Sequence, residues 1–296
     1  MTSQKKKIIK RNLVGYSFII PNFIGYFLFI FIPVCFSFIL SVMSWDGSAN
    51  TKMVFVGLEN FRRLFSDSSF IISMKNTLYY AVFTVPLTVV AALIIAVLLN
   101  SKIKGIVVYR TAFFFPYIAS LVAVGAVWNM LFQPEFGPIN EMLKAIGVVN
   151  PPRWLASVDW AMPAVIIVSI WKYMGYYMIV YLAALQGITA DLYEAASIDG
   201  ATGFKKFRYI TVPMLKPTTF FVVIMLTIQC FKVFDLIYVM PGPGQSTKVL
   251  VNHIYNAAFV DYKFGYASAS ALILFAIVLV VTLIQFRTEK KFTDFV

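Results

Sequence analysis

The groups with which this chain can do chemistry stand inside apolar runs: Lys172, Tyr176, Gln229, Lys232 and Asp235. A charge in hydrocarbon costs about 2.5–3.5 kcal/mol on insertion scales, so such residues face a cavity, a partner or the interface. Lys172 stands about halfway along its run, which favours a cavity; the alternative is a long side chain snorkelling to the interface. Gln229, Lys232 and Asp235 lie three apart, so on a continuous helix they project from roughly one face, where Lys232 can neutralise Asp235. That face is either a structural ion pair or the wall of a polar pathway. Hydrogen-bonding groups beside aromatic rings suit a hydroxyl-rich solute. They suit binding and passage rather than bond-making, and no catalytic residue is expected. The sequence has no G-x-x-x-x-G-K-[S/T] phosphate loop, so ATP hydrolysis is not expected of this chain, and it has no nucleophile elbow or H-E-x-x-H motif. His253 is the only histidine and has no ligand companions, so it reads as a polar loop residue. Cys35 and Cys230 fall within apolar runs and read as small hydrophobes. Neither a metal, a cofactor nor a disulfide is expected.

A second group of chemically capable residues occupies the polar stretch 188–217, ITADLYEAASIDGATGFKKFRYITVPMLKP. Thr189 precedes a run of helix formers, Ala190 to Ile198, with Asp191 and Glu194 near the first turn, where carboxylates suit the helix dipole. Gly200 supplies the left-handed residue that ends helices, and a short segment from Thr202 to Tyr209 leads to Pro213 and Pro217. The expectation is helix, glycine turn, helix, proline exit. Acidic groups lie in the first half, and Lys205, Lys206 and Arg208 in the second. A surface of that kind suits docking to a soluble partner.

The elements that must position these residues are set by composition. Of 296 residues, 60% are hydrophobic and 13% charged, against about 45–50% and about 25% in soluble domains. The chain reads as an all-α integral membrane protein. Its net charge of +12 reflects the gathering of Lys and Arg on the cytoplasmic side, so nucleic acid is the weaker reading. Runs of about 20 residues or more, the length a bilayer core requires, place six spans at about 13–43, 72–99, 106–132, 161–185, 218–240 and 266–286. They form a transmembrane domain over 13–287, between tails at 1–12 and 288–296. The first run is longer than a signal peptide's core and reads as a retained anchor, kinked at Pro21 and Pro33. One set of loops holds Lys5, Lys6, Lys7, Lys10 and Arg11; Lys102, Lys104 and Arg110; Lys205, Lys206, Arg208 and Lys216; and Arg287, Lys290 and Lys291. That set, with both termini and the 188–217 stretch, is therefore assigned to the cytoplasm. Of the outer loops, 44–71 should hold a short helix bearing Phe61, Leu64 and Phe65, capped by Asp67 or Ser68. The loop at 133–160 should hold one bearing Ile139, Met142, Leu143 and Ile146 and ending at Gly147, with Trp154 and Trp160 in the interfacial aromatic belt.

Glu194-Ala195-Ala196, Gly200 six positions after the glutamate, then Ile210 and Pro213, resemble the EAA loop of ATP-binding-cassette importer permeases. Val212 stands where that pattern usually has leucine. GLENF before Asn76-Thr77, FKVFDLIYVM before Ser246-Thr247, and FGYASA at 264–269 resemble the carbohydrate-uptake branch, as in the first permease of a maltose, multiple-sugar or glycerol-phosphate type pair. The turn Pro241-Gly242-Pro243-Gly244 departs from the branch's usual Thr-Gly-Gly-Gly-Pro. The resemblance implies a type I importer permease fold with six transmembrane helices. It implies coupling to ATPases through Glu194, Ala195, Ala196, Asp199, Gly200, Ala201, Ile210 and Pro213. It also implies partners: a second homologous permease, two ATP-binding subunits that hold ATP and magnesium, and an extracytoplasmic solute-binding protein. The expected role is translocation of a sugar or oligosaccharide across the inner (cytoplasmic) membrane by alternating access. Two alternatives stay open. One is an importer of the same kind for another solute, such as glycerol phosphate; the other is an ion-coupled secondary transporter, for which Asp235 is the only clear intramembrane carboxylate.

Overall fold

The computed structural model describes residues 3–48, 50–101 and 104–293, with side chains between 12 and 289. The basic groups counted at Lys5, Lys6, Lys7, Lys10, Arg11, Lys102, Lys290 and Lys291 lie outside the described side chains. In chain order the α-helices are α1 (Ser3–Tyr26), α2 (Ile32–Ser41), α3 (Glu59–Ser66), α4 (Ser68–Leu98), α5 (Ile106–Ile118), α6 (Leu121–Leu131), α7 (Pro138–Ala145), α8 (Val158–Gln186), α9 (Ala190–Ile198), α10 (Gly203–Lys206), α11 (Val212–Met214), α12 (Lys216–Phe231), α13 (Asp235–Val239), α14 (Leu250–Tyr255) and α15 (Phe264–Thr293). A two-residue antiparallel ladder joins Met43 to Phe55 and Ser44 to Val54, a detail that helix-only reasoning did not anticipate.

Among the described residues, four helical stretches are long and apolar enough to cross a membrane: Asn12–Ser41, Ser68–Leu98, Val158–Gln186 and Phe264–Glu289. The number rises to six if each of two bent pairs is one span: α5 with α6, bent by 99°, and Gly203–Met214 with α12, bent by 64°. Both bends fall within runs that composition alone reads as straight or as loop.

Proline shapes the helices differently from the expected kink. The first span stays helical past Pro21 and forms a π turn, Phe27–Phe31, just before Pro33, where the Ile32 N–H donates to the Phe27 carbonyl. A proline ring collides with the carbonyl four residues back and offers no N–H of its own, and a wider turn relieves both faults. The same device recurs at Phe207–Thr211 before Pro213, where the Val212 N–H donates to Phe207.

The chain divides into two compact units. In the first, Met1–Ser66 with Ile254–Ile273, the Asn60 amide donates to the carbonyls of Ser41 (2.9 Å) and Met43 (2.8 Å), tying α3 to the end of α2. Trp45 packs on Phe264, and Ala257, Ala258 and Ala267 form a small core. Only 6% of the most apolar window of the first span is buried.

The second unit, Asp67–His253 with Leu274–Val296, is built around α8, of whose apolar window 61% is buried. Small and polar residues let α4 lie close to it, and the Tyr80 hydroxyl donates to Ser169 Oγ at 2.8 Å. Asp67 caps α4 rather than the short helix before it, its carboxylate accepting from the Ser69 N–H at 2.8 Å. Asn76 and Thr77 pin a distant loop: the Asn76 amide donates to the carbonyls of Gln245 and Lys248, and the Thr77 hydroxyl accepts from the Leu250 N–H. Trp154 is buried rather than placed in a lipid belt: its indole donates to Asn140 Oδ1 at 2.7 Å and its ring packs on Phe132. His253 is a buried residue of α14 set edge-on to Phe70, not a loop residue.

Candidate functional site

Lys172, Gly175 and Tyr176 are spaced three and four apart on α8 and so share a face. At Gly175 the backbones of α8 and α5 touch, since a Cβ there would lie 1.8 Å from the Phe113 carbonyl oxygen. Glycine alone fits. The contact brings the Tyr117 ring over Tyr176, stacked at 4.6 Å and 20°. Tyr177 stands edge-on to Tyr176, and its hydroxyl donates to Gln229 Oε1 at 3.2 Å. Trp171 meets Trp128 of α6 edge-on at 5.4 Å. Two sequence-predicted residues, Tyr176 and Gln229, are thus brought into one cluster, both half-buried.

The other three make no contact with that ring stack through their polar ends. Lys172 is 5% exposed. It donates to the carbonyl oxygens of Pro116 (3.1 Å), Tyr117 (3.4 Å) and Ala119 (2.9 Å). Those carbonyls belong to the last turn of α5 and its C-cap, Ala119; a straight helix would have satisfied them, and the 99° bend leaves them without helical donors. Lys232 and Asp235 do not share a helix face. Helix α12 ends at Phe231, Phe234 takes φ −138° and ψ −63°, and α13 begins at Asp235. Both side chains are exposed and they form no ion pair with each other. A three-residue spacing shares a face only along a continuous helix, and the residues from Lys232 to Phe234 contain no proline or glycine to announce the break.

Sequence reasoning missed Tyr117 and Tyr177. The available signal for Tyr117 was its place next to Pro116, where a helix interior must deviate. The cluster offers flat aromatic faces and an amide beside hydroxyls, a combination suited to binding a polyhydroxylated ring. Among the described residues no group of three or more His, Cys, Asp or Glu is placed to hold a metal.

Past the end of α8, Gly187, Ile188 and Thr189 lead into α9. No residue of α9 is buried. Thr189 takes the extended backbone of an N-cap, but its hydroxyl makes no capping bond. The helix ends at Gly200, whose φ of +72° only glycine adopts readily. The Gly200 N–H donates to Ser197 O and the Ala201 N–H to Ala196 O. Thr202 then caps α10, its hydroxyl accepting from the Lys205 N–H. The two halves are held together by the Tyr193 and Thr211 hydroxyls at 3.0 Å and by the Lys206 ammonium donating to Ser197 Oγ. Glu194, Ala195, Asp199 and Gly200 are exposed, and Ala196, Ala201, Ile210 and Pro213 half-buried. Apolar side chains also face outward, with Ile198 87%, Phe204 75% and Tyr209 74% exposed. The expected proline exit is instead helical: Pro213 lies in the first turn of α11 and Pro217 in that of α12.

The family model described as binding-protein-dependent transport system inner membrane component matches residues 74–294. The lactose transport system permease protein LacF of Rhizobium radiobacter is 35% identical over 300 residues, covering 98% of this chain and 99% of the relative. The sn-glycerol-3-phosphate transport system permease protein UgpA of Agrobacterium fabrum is 33% identical over 287 residues, covering 96% and 97% respectively. Among solved structures, a chain of a bacterial alginate ABC transporter, in complex with an alginate pentasaccharide-bound periplasmic protein, matches with a TM-score of 0.84 and 25% identity. The match covers 97% of each chain.

Proposed function

The chain belongs to the family of binding-protein-dependent transport system inner membrane components, and from that premise we propose that it is the permease subunit through which an ATP-binding-cassette importer carries a sugar or oligosaccharide. The observation that carries this reading is the pairing, on one helix, of an aromatic cluster and an exposed hairpin. Helix α8 holds Tyr176 against Tyr117 and runs on into the α9 hairpin with its outward Glu194. Tyr176 and Gln229 meet the solute, with the exposed Asp235 and Lys232 further along the pathway. The hairpin, through Glu194, Ala195, Ala196, Asp199, Gly200, Ala201, Ile210 and Pro213, receives the ATP-binding subunits, which supply the ATP and magnesium chemistry. Ala195 and Ala196 keep bulk low beside the carboxylate, so a partner's groove can approach the backbone. Closure of the ATPases moves α9, and α8 follows, so that the pathway opens alternately to each side. A second permease chain completes the pathway, and an extracytoplasmic binding protein delivers the solute. The hairpin and both termini face the cytoplasm.

The names of LacF and of the alginate importer support a carbohydrate cargo, while that of UgpA supports glycerol phosphate. A ligand screen on the cognate binding protein separates these, with a mono- or oligosaccharide as the expected best ligand. Uptake into energised vesicles should be abolished by vanadate. Uptake that survives vanadate and collapses with the ion gradient would overturn the ATP-driven reading.

A further inference from the structure

Among the described residues of the second unit, Lys172 is the most deeply buried cation; the transport reading leaves it without a task, and its surroundings give it one. Its side chain reaches from α8 to the gap between α5 and α6, where it meets three carbonyl oxygens, those of Pro116, Tyr117 and Ala119. In an unbroken helix the carbonyls of Pro116, Tyr117 and Ala119 would accept from the N–H groups of residues 120, 121 and 123. The bend removes that supply, with Ser120 at φ −52° and ψ 130° and the last ordinary α-helical bond running from the Ala119 N–H to Phe115 O. Exposed carbonyls at a helix C-terminus carry the negative end of the helix dipole, and an ammonium is the group that best satisfies both their hydrogen bonding and their charge. No carboxylate pairs with Lys172 among the described residues. Removal of the ammonium would leave three carbonyls, one at a buried and two at part-buried bonds, without that donor, a costly state from which the bend should relax.

One of these three residues, Tyr117, also carries a ring of the proposed solute site. Tyr117 contributes both a carbonyl to Lys172 and the face that stacks on Tyr176, one helical turn away from Lys172 on α8. Gly175 fixes how close α5 lies to α8, and Trp171 against Trp128 fixes α6. Neither of these donates to the carbonyls freed at the bend, as Lys172 does. We infer that Lys172 is a positioning residue that holds the α5–α6 bend and thereby sets Tyr117 over Tyr176. Its three N–H donors are spent on the protein's own backbone, so it acts on the solute only through Tyr117. The inference rests on the reading of the tyrosine cluster as the solute site.

The test is cryo-electron microscopy of the whole importer complex in lipid nanodiscs, for the native chain, Lys172→Met and Lys172→Arg, without solute. Methionine matches the aliphatic stem of lysine but offers no donor, so the Tyr117 and Tyr176 ring centroids should part from 4.6 Å to beyond about 7 Å, the outer limit of aromatic pairing. Arginine keeps both charge and donors and should keep the stack. Persistence of the bend and the stack in Lys172→Met overturns the inference, as does an arginine variant that loses them as fully as methionine does. If the methionine variant fails to assemble, Lys172→Leu takes its place: it too offers no donor, so a stack as tight as the native one overturns the inference. The distances are read with no solute present, so a cargo other than sugar leaves this test intact, while the ligand screen decides that separate question.

Discussion

Gly200 and Tyr176 show how differently single residues can matter. A Cβ at Gly200 would meet nothing within 4 Å, so a side chain there is not crowded; the obstacle is the backbone, at φ +72°. For a non-glycine residue that conformation costs about 1–2 kcal/mol. We predict that Gly200→Val leaves insertion and permease pairing intact but cuts solute uptake more than tenfold, and that Glu194→Lys does the same by presenting the wrong charge to the ATPase. Co-purification of the ATPase with each variant, beside vesicle uptake, checks this; two variants that transport normally would remove the coupling role from the hairpin. For Tyr176→Ala the expected loss is an aromatic pair worth about 0.5–1.5 kcal/mol. The apparent KM should rise about threefold to tenfold while the maximal rate changes less, and an unchanged KM would take Tyr176 out of the pathway. Gly200 was legible in the sequence because a left-handed turn has a residue signature. Tyr117 and Tyr177 were not, because a ring's stacking partner is decided by which helices meet. Lys172 was half legible: a mid-run charge had to have partners, but carbonyls freed by a bend leave no mark in composition.

At the scale of elements, the long helices α4, α8 and α15 announce themselves through unbroken apolar runs, whereas the breaks between α5 and α6 and between α12 and α13 do not. Apolar composition continues through both breaks, and hydrophobicity measures burial or lipid contact rather than direction. The π turns before Pro33 and Pro213 were foreshadowed only by the prolines, whose steric demand admits more than one solution. The close meeting of α5 and α8 gives an element-level prediction. Gly175→Val would place side-chain carbon where the Phe113 carbonyl now sits, and overpacking of this kind costs about 1–3 kcal/mol. The purified complex should unfold several degrees lower, and Tyr117 and Tyr176 should separate; an unchanged melting temperature would mean that the two helices do not approach this closely in the assembled importer.

For the molecule as a whole, the basic loops carry the prediction of orientation. Reporter fusions at Gly203 should read as cytoplasmic and at Gly147 as external, and the reverse result at either site would sink the topology. The membrane class was legible from composition and the family from fixed residues at fixed spacing, because both survive without knowledge of how helices pack. A wider consequence follows from α8, a single helix of 29 residues, about 40 Å long at 1.5 Å per residue. It bears Tyr176 partway along and reaches α9 after three intervening residues. On the proposed function, solute and nucleotide act on different parts of one continuous element, and their binding free energies become linked quantities. Whatever factor by which solute occupancy changes the affinity of the assembly for ATP, ATP must change its affinity for solute by that same factor. Paired titrations, each ligand measured with and without saturating amounts of the other, should close this thermodynamic square in the native complex, and the shared factor should collapse toward one in Gly200→Val, where the rod remains but its far end no longer grips.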